Sequence, residues 1–104
     1  MQATQRLAEL VHSKHQVLLQ LRELGLRQAD LVASGDTASL LKLLAVKQQL
    51  IAALQGLEHE LAPRYLEDPD QRIWPSPERR AQCAHQAAEC NELLREIVDR
   101  LREL

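Results

Sequence analysis

The chain has no phenylalanine and only one tryptophan, one tyrosine and one methionine in 104 residues. Sheets draw on aromatic and β-branched side chains to fill a pleated surface, so this shortage argues against a β-sandwich or an α/β enzyme. Glycine is also scarce, with three in the chain, and there is no glycine-rich phosphate loop. Neither a nucleophile elbow nor a Ser/His/Asp arrangement is supported by the spacing. The chain therefore reads as non-enzymatic and without a cofactor. Only two cysteines occur, Cys83 and Cys90, seven positions apart in one helical stretch. That places them about 10 Å apart along the axis, beyond the roughly 7 Å between Cα atoms that a disulfide tolerates. Unpaired cysteines fit a reducing cytoplasm. His12, His15, His85 and Cys83 match no metal-ligand spacing, so no metal site is expected.

Charge of one sign is missing too. The formal net charge is −2, residues 1–33 carry four basic and three acidic side chains, and residues 78–104 carry five and six. Without a basic stripe, nucleic acid is not an expected partner. The amino-terminal MQATQRLAEL has no apolar run of signal-peptide length. No stretch reads as the roughly 20 apolar residues of a membrane span. A cytoplasmic protein of one domain is expected.

What is present is leucine at helical spacing. Residues 3 to about 33 read as a first helix, with Leu7, Leu10, Val17, Leu21, Leu24 and Leu31 in heptad register. Lys14 and Gln28 are polar entries in that seam, and Val11, Leu18 and Val32 widen the stripe on one side. Gly25 inside this helix suggests a close approach by another helix, or a kink. Ser34-Gly35-Asp36 reads as a stop and a start. Gly35 supplies the left-handed conformation that closes one helix, and Asp36 is an N-cap for the next. A connection this short allows only an antiparallel return. The second helix is expected from about Thr37 to Leu61, with Leu40, Leu43, Lys47, Leu50, Leu54, Leu57 and Leu61 along the seam. Lys47 reads either as a snorkelling lysine whose amine reaches water or a glutamate or as a register-setting residue facing Gln28 or another polar group of the first helix. Gly56 could let the helix fray early, and Pro63 is expected to end it.

All four prolines and both aromatic residues fall in PRYLEDPDQRIWPSP, residues 63–77. Prolines at this density are expected to exclude regular structure over the loop 62–76. Tyr65, Ile73 and Trp74 argue that the loop docks rather than floats. Trp74 reads as a plug over the end of the bundle, or as an exposed anchor. Its length leaves the direction of the third helix open. That helix starts cleanly, with Ser76 as N-cap and Pro77 in the first helical position, and runs to about 104. Its stripe is Cys83, Ala87, Cys90, Leu94, Ile97, Leu101 and Leu104, so the first half is small and the second half large.

These elements predict an all-α protein: a long antiparallel hairpin plus a third helix, in one domain. Both hairpin helices carry stripes wider than a two-stranded coiled coil requires. A third helix, a second protomer or a client must cover the surplus.

The hairpin resembles the FlgN family of flagellar type III export chaperones. The resemblance lies in SGDTASLLKLLAVKQQLIAALQGLEHEL, with its small-Gly-Asp turn, leucine run, Lys47-Gln48 before Leu50, and Glu58 near the helix end. HSKHQVLLQL and WPSPERRAQCAHQAAECNELLREIV are compatible with it. The resemblance implies a cytosolic chaperone that binds the C-terminal helices of hook–filament junction proteins and delivers them to the export apparatus. The alternative is a structural coiled-coil or oligomerisation module without a client, for instance a homodimer. On the chaperone reading the expected client contacts are Val11, Leu18, Leu44, Ile51, Trp74, Ala84, Ala87 and Leu94. The Ala- and Cys-rich half of the third helix is then the segment most able to shift.

Overall fold

The computed structural model describes residues 2–103, with side-chain surroundings over residues 3–100. Three helices follow in order: α1 over Gln2–Ser34, α2 over Thr37–Tyr65 and α3 over Pro77–Glu103. No strand occurs among the described residues, so the protein is an all-α helical bundle.

The turn between α1 and α2 is built as its residues dictate. Gly35 has φ of 73°. Its N–H donates to the carbonyl of Val32, and the N–H of Asp36 donates to that of Leu31. This pair of bonds is the Schellman closure, which needs a left-handed residue and is easiest with glycine. The Asp36 carboxylate then accepts from the backbone N–H of Ser39 at 3.1 Å and caps α2. The hydroxyl and N–H of Ser39 hold the Asp36 carboxyl below its usual range. At the start of α3, Ser76 Oγ accepts from the N–H of Arg79 at 3.2 Å, with Pro77 as the first helical residue.

Two expectations are corrected at the far end of α2. Pro63 lies inside the helix, which continues to Tyr65. A proline removes only its own N–H and crowds the turn before it, so the carbonyls after it can still accept. Those of Pro63 and Arg64 receive the N–H groups of Leu66 and Glu67. Nor is the loop free of regular structure. A 3-10 turn spans Pro69–Gln71, capped by Asp68 through the N–H of Asp70.

The direction of α3 follows from its partners on α1. The carbonyl of Ile73, just ahead of α3, meets Thr4, while Gln86 meets His12, Glu89 meets His15, and Glu96 meets Arg22. The numbers rise together, so α3 runs parallel to α1 and antiparallel to α2. The loop therefore turns back at the end where it leaves α2. The resulting rod measures 52 × 21 × 20 Å, its length set by α1 at about 1.5 Å per residue.

α1 is the central element. It packs against both other helices, whereas no Cα of α2 comes within 8 Å of one in α3. The core forms two clusters. One joins Leu7, Leu10, Val11, Leu61 and Cys83, with Leu57, Trp74 and Ala87 around it. The other joins Leu18, Leu21, Cys90 and Leu93, with Leu50, Ile51, Leu54, Leu94 and Ile97 around it. Between them Lys14 is buried on Glu58. Val11 and Leu18, which the heptad reading placed beside the seam, are central, because α3 covers that flank. Leu93 is also in the core, although the stripe read from the sequence ran through Leu94. Gly25 and Gly56 have nothing within 4 Å of an added Cβ. The close helix approach expected at Gly25 is therefore not made.

Candidate functional site

The buried core stops before the hairpin does. Beyond Leu21 on α1 and Leu50 on α2, Leu43 is the single buried residue among those described. The apolar pattern continues to the turn, so large side chains are left in solvent there: Val32 is 61% exposed, Leu41 63% and Val46 47%, with Leu26 and Leu44 less so. Three of these five side chains, Leu41, Leu44 and Val46, belong to α2. That helix is long and apolar enough to cross a membrane by length and composition, although the sequence reading found no such stretch, and only 6% of its apolar window is buried.

Polar bonds tie the helices together along the bundle, including one at this open end. Lys47 Nζ donates to Gln28 Oε1 at 3.0 Å, so Lys47 faces Gln28 and sets register rather than snorkelling freely. Lys14 pairs with Glu58 and Arg6 with Glu60. Burial alone pushes the Lys14 ammonium down, but its bond to Glu58, helped by Tyr65 and the Glu58 charge, leaves it above its ordinary value. Glu89 lies between two imidazoles, His15 Nε2 at 2.7 Å and His85 Nε2 at 2.5 Å. His12 bonds Gln86 instead. Among the described residues no group of three His, Cys, Asp or Glu side chains is arranged to hold a metal ion.

The Ala- and Cys-rich half of α3 is held by more than small side chains. Cys83 and Cys90 are buried, and the Cys90 thiol points to the carbonyl of Val11 at 3.9 Å. Burial raises both thiols above their usual range. Gln86 and Glu89 add polar ties to α1. Ala84 is exposed and Ala87 is half-buried.

The eight expected client contacts do not form one surface. Val11 and Leu18 are core residues beneath α3 and are reached only if α3 moves. Ile51 and Leu94 flank the second cluster, and Ala87 the first. Trp74 is half-buried on the first cluster, as the plug reading has it, and lines a cleft of about 590 Å³ with Thr4, His12 and Cys83. Leu44 lies toward the opposite end, near the turn. Leu101 and Leu104, placed in the α3 stripe from sequence, lie outside the residues whose side chains are described. Tyr65 and Ile73, thought to dock the loop, are 56% and 69% exposed. Of the three expected docking residues Trp74 packs on the core, and the loop is held further by Thr4 Oγ1 donating to the carbonyl of Ile73 at 2.8 Å and by Arg72 Nη2 donating to that of Arg64 at 2.6 Å. The bond from Thr4 had no signal in the sequence, since a threonine near an amino terminus is usually a surface residue.

No protein-family model matches this chain, and no curated protein or solved structure matches it.

Proposed function

We propose that this protein is a cytosolic helix-binding chaperone of the flagellar export type, which holds the C-terminal helices of hook–filament junction proteins and passes them to the export apparatus. The observation that carries the proposal is the set of large apolar side chains left in solvent near the turn, Val32, Leu41, Leu44 and Val46, in a bundle whose third helix packs on α1 and not on α2. Apolar patches of this kind on a small protein mark sites where something else docks. An amphipathic helix laid in a groove is the common way to fill one. α3 is the element best suited to give way. It touches α1 alone through its backbone, and the stretch from Ala81 to Cys90 contributes only alanine and cysteine to the apolar contacts. Displacing small side chains costs less than displacing leucines, at about 25 cal/mol per Å², and the ties of Gln86 to His12 and Glu89 to His15 are what such movement must also break. Movement there would uncover Val11 and Leu18 beside Ile51 and Leu54.

A membrane span is the weaker account of α2. α1, which packs along it, carries Arg6, Glu9, Lys14, Arg22, Glu23, Arg27 and Asp30, and charged side chains inside a bilayer are costly. A second reading is a homo-oligomerisation module without a client, favoured by the exposure of Val32, Leu41 and Leu44, which a second copy would cover equally well.

Calorimetric titration with a synthetic C-terminal helix of a hook–filament junction protein, paired with hydrogen exchange, tests the proposal. Binding is expected, with amides of residues 64–90 exchanging faster than those of 91–100 in the free protein and slowing in the complex. Absence of binding, together with residues 81–90 as protected as the hairpin, would overturn it. Concentration-dependent dimerisation that buries α2 would favour the oligomerisation module.

A further inference from the structure

The tip of the hairpin carries a groove of about 500 Å³ that no α3 residue lines. Its apolar wall is Leu24 and Leu31 from α1 with Leu43 and Val46 from α2, and its charged lining is Arg27, Asp30 and Lys42. Leu43 is the buried floor, and Val46 is half in solvent. Charges at this end differ from those lower in the bundle. There, α1 is tied to its neighbours by ion pairs at Arg6, Lys14 and Arg22 and by the hydrogen bond between His15 and Glu89. At the tip, Arg27, Asp30 and Lys42 form no salt bridge among the described residues. From Thr37 to Leu57 α2 carries two lysines and no carboxylate.

We propose that this groove docks an amphipathic helix of a partner protein, with apolar anchors on one stripe and acidic side chains flanking them. Two cations against one carboxylate give the groove a positive surplus, and complementary charge selects partners and fixes register. The helix-in-groove mode uses anchors at i, i+3, i+4 and i+7, and the walls of the groove, Leu24 and Leu31 seven apart on α1 and Leu43 and Val46 three apart on α2, are spaced to flank such a stripe. A second copy of the chain fits less well, because it would bring another Arg27 and Lys42 against a single further Asp30. The groove is also short. On α2 it runs from Ser39 to Val46, about two turns or 10 Å, whereas a stable dimer buries about 800 Å² per partner. The site lies away from α3, so it does not depend on the chaperone reading.

The test uses two synthetic peptides of about 18 residues, long enough to form helix on docking, with one shared leucine stripe. One has glutamate flanks and the other lysine flanks. Each is titrated into isotope-labelled full-length chain and followed by amide shifts and fluorescence anisotropy. The glutamate peptide is expected to shift amides of residues 24–31 and 39–46 and to bind about tenfold tighter than the lysine peptide. The double variant R27E/K42E is expected to reverse that preference with its helical circular dichroism unchanged. Equal binding of both peptides, or shifts confined to α3, would overturn the proposal. So would a dimer that buries Val46, or tip shifts with phosphatidylglycerol vesicles and none with the glutamate peptide.

Discussion

Replacing Glu58 by glutamine keeps its shape and removes the charge that compensates Lys14. The Lys14 side chain is 9% exposed and lies between the two core clusters, while Glu58 is 41% exposed. Breaking a fully buried pair from one side costs about 3–5 kcal/mol, because the remaining charge is stranded. Water screens the outer half of this pair, and exposed pairs contribute about 1 kcal/mol or less. The expected loss for E58Q at pH 7 is therefore between these limits, about 1–2 kcal/mol, or a fall in Tm of roughly 5 to 12 °C. Lys14→Met removes the charge and keeps an unbranched apolar stem, so it is expected to be close to neutral. The double variant should match K14M rather than add the E58Q loss. Urea unfolding followed by helical circular dichroism measures all four proteins. The pH dependence has a definite sign. In the native chain the Lys14 ammonium is held above its ordinary value, so its contribution is present below about pH 10.4 and lost as pH rises beyond it. In E58Q burial acts without the carboxylate and favours the neutral amine. The gap between the two proteins should then be widest at neutral pH and close above about pH 10. An unchanged E58Q, or a K14M as damaged as E58Q, would refute the idea that Lys14 is a buried charge held by Glu58.

Two further predictions concern glycines and thiols. Gly35→Val should lower Tm, because its φ of 73° is a region that branched residues resist, whereas Gly25→Ala and Gly56→Ala should each stabilise by up to about 1 kcal/mol, since nothing lies within 4 Å of the added methyl. Thermal unfolding decides this, and a Gly25→Ala that destabilises would mean that something packs on that face. Cys83 and Cys90 should react slowly with thiol reagents in the native protein, being buried and with thiols pushed up. Rapid labelling of both at neutral pH would mean that this face of α3 is open to solvent in the free protein.

Local chemistry determined the elements of this protein. Leucines at three- and four-residue spacing, a glycine able to adopt positive φ, and Asp36 and Ser76 as N-caps each act within a few residues, so helix starts and the hairpin turn were legible in the sequence. So was the identity of Lys47 and Gln28 as polar entries in facing seams, with the bond between them one of two readings that the structure decided. Only the tertiary structure decided what covers each helix. A stripe that spans more than one face is compatible with α3 on either flank, and the loop is long enough to deliver α3 in either direction. Placing it parallel to α1 buried Val11 and Leu18, brought Glu89 between His15 and His85, and left the tip uncovered around Leu43. Those outcomes depend on pairs up to 79 positions apart, and the periodicity of one helix contains no information about which of its neighbours will arrive.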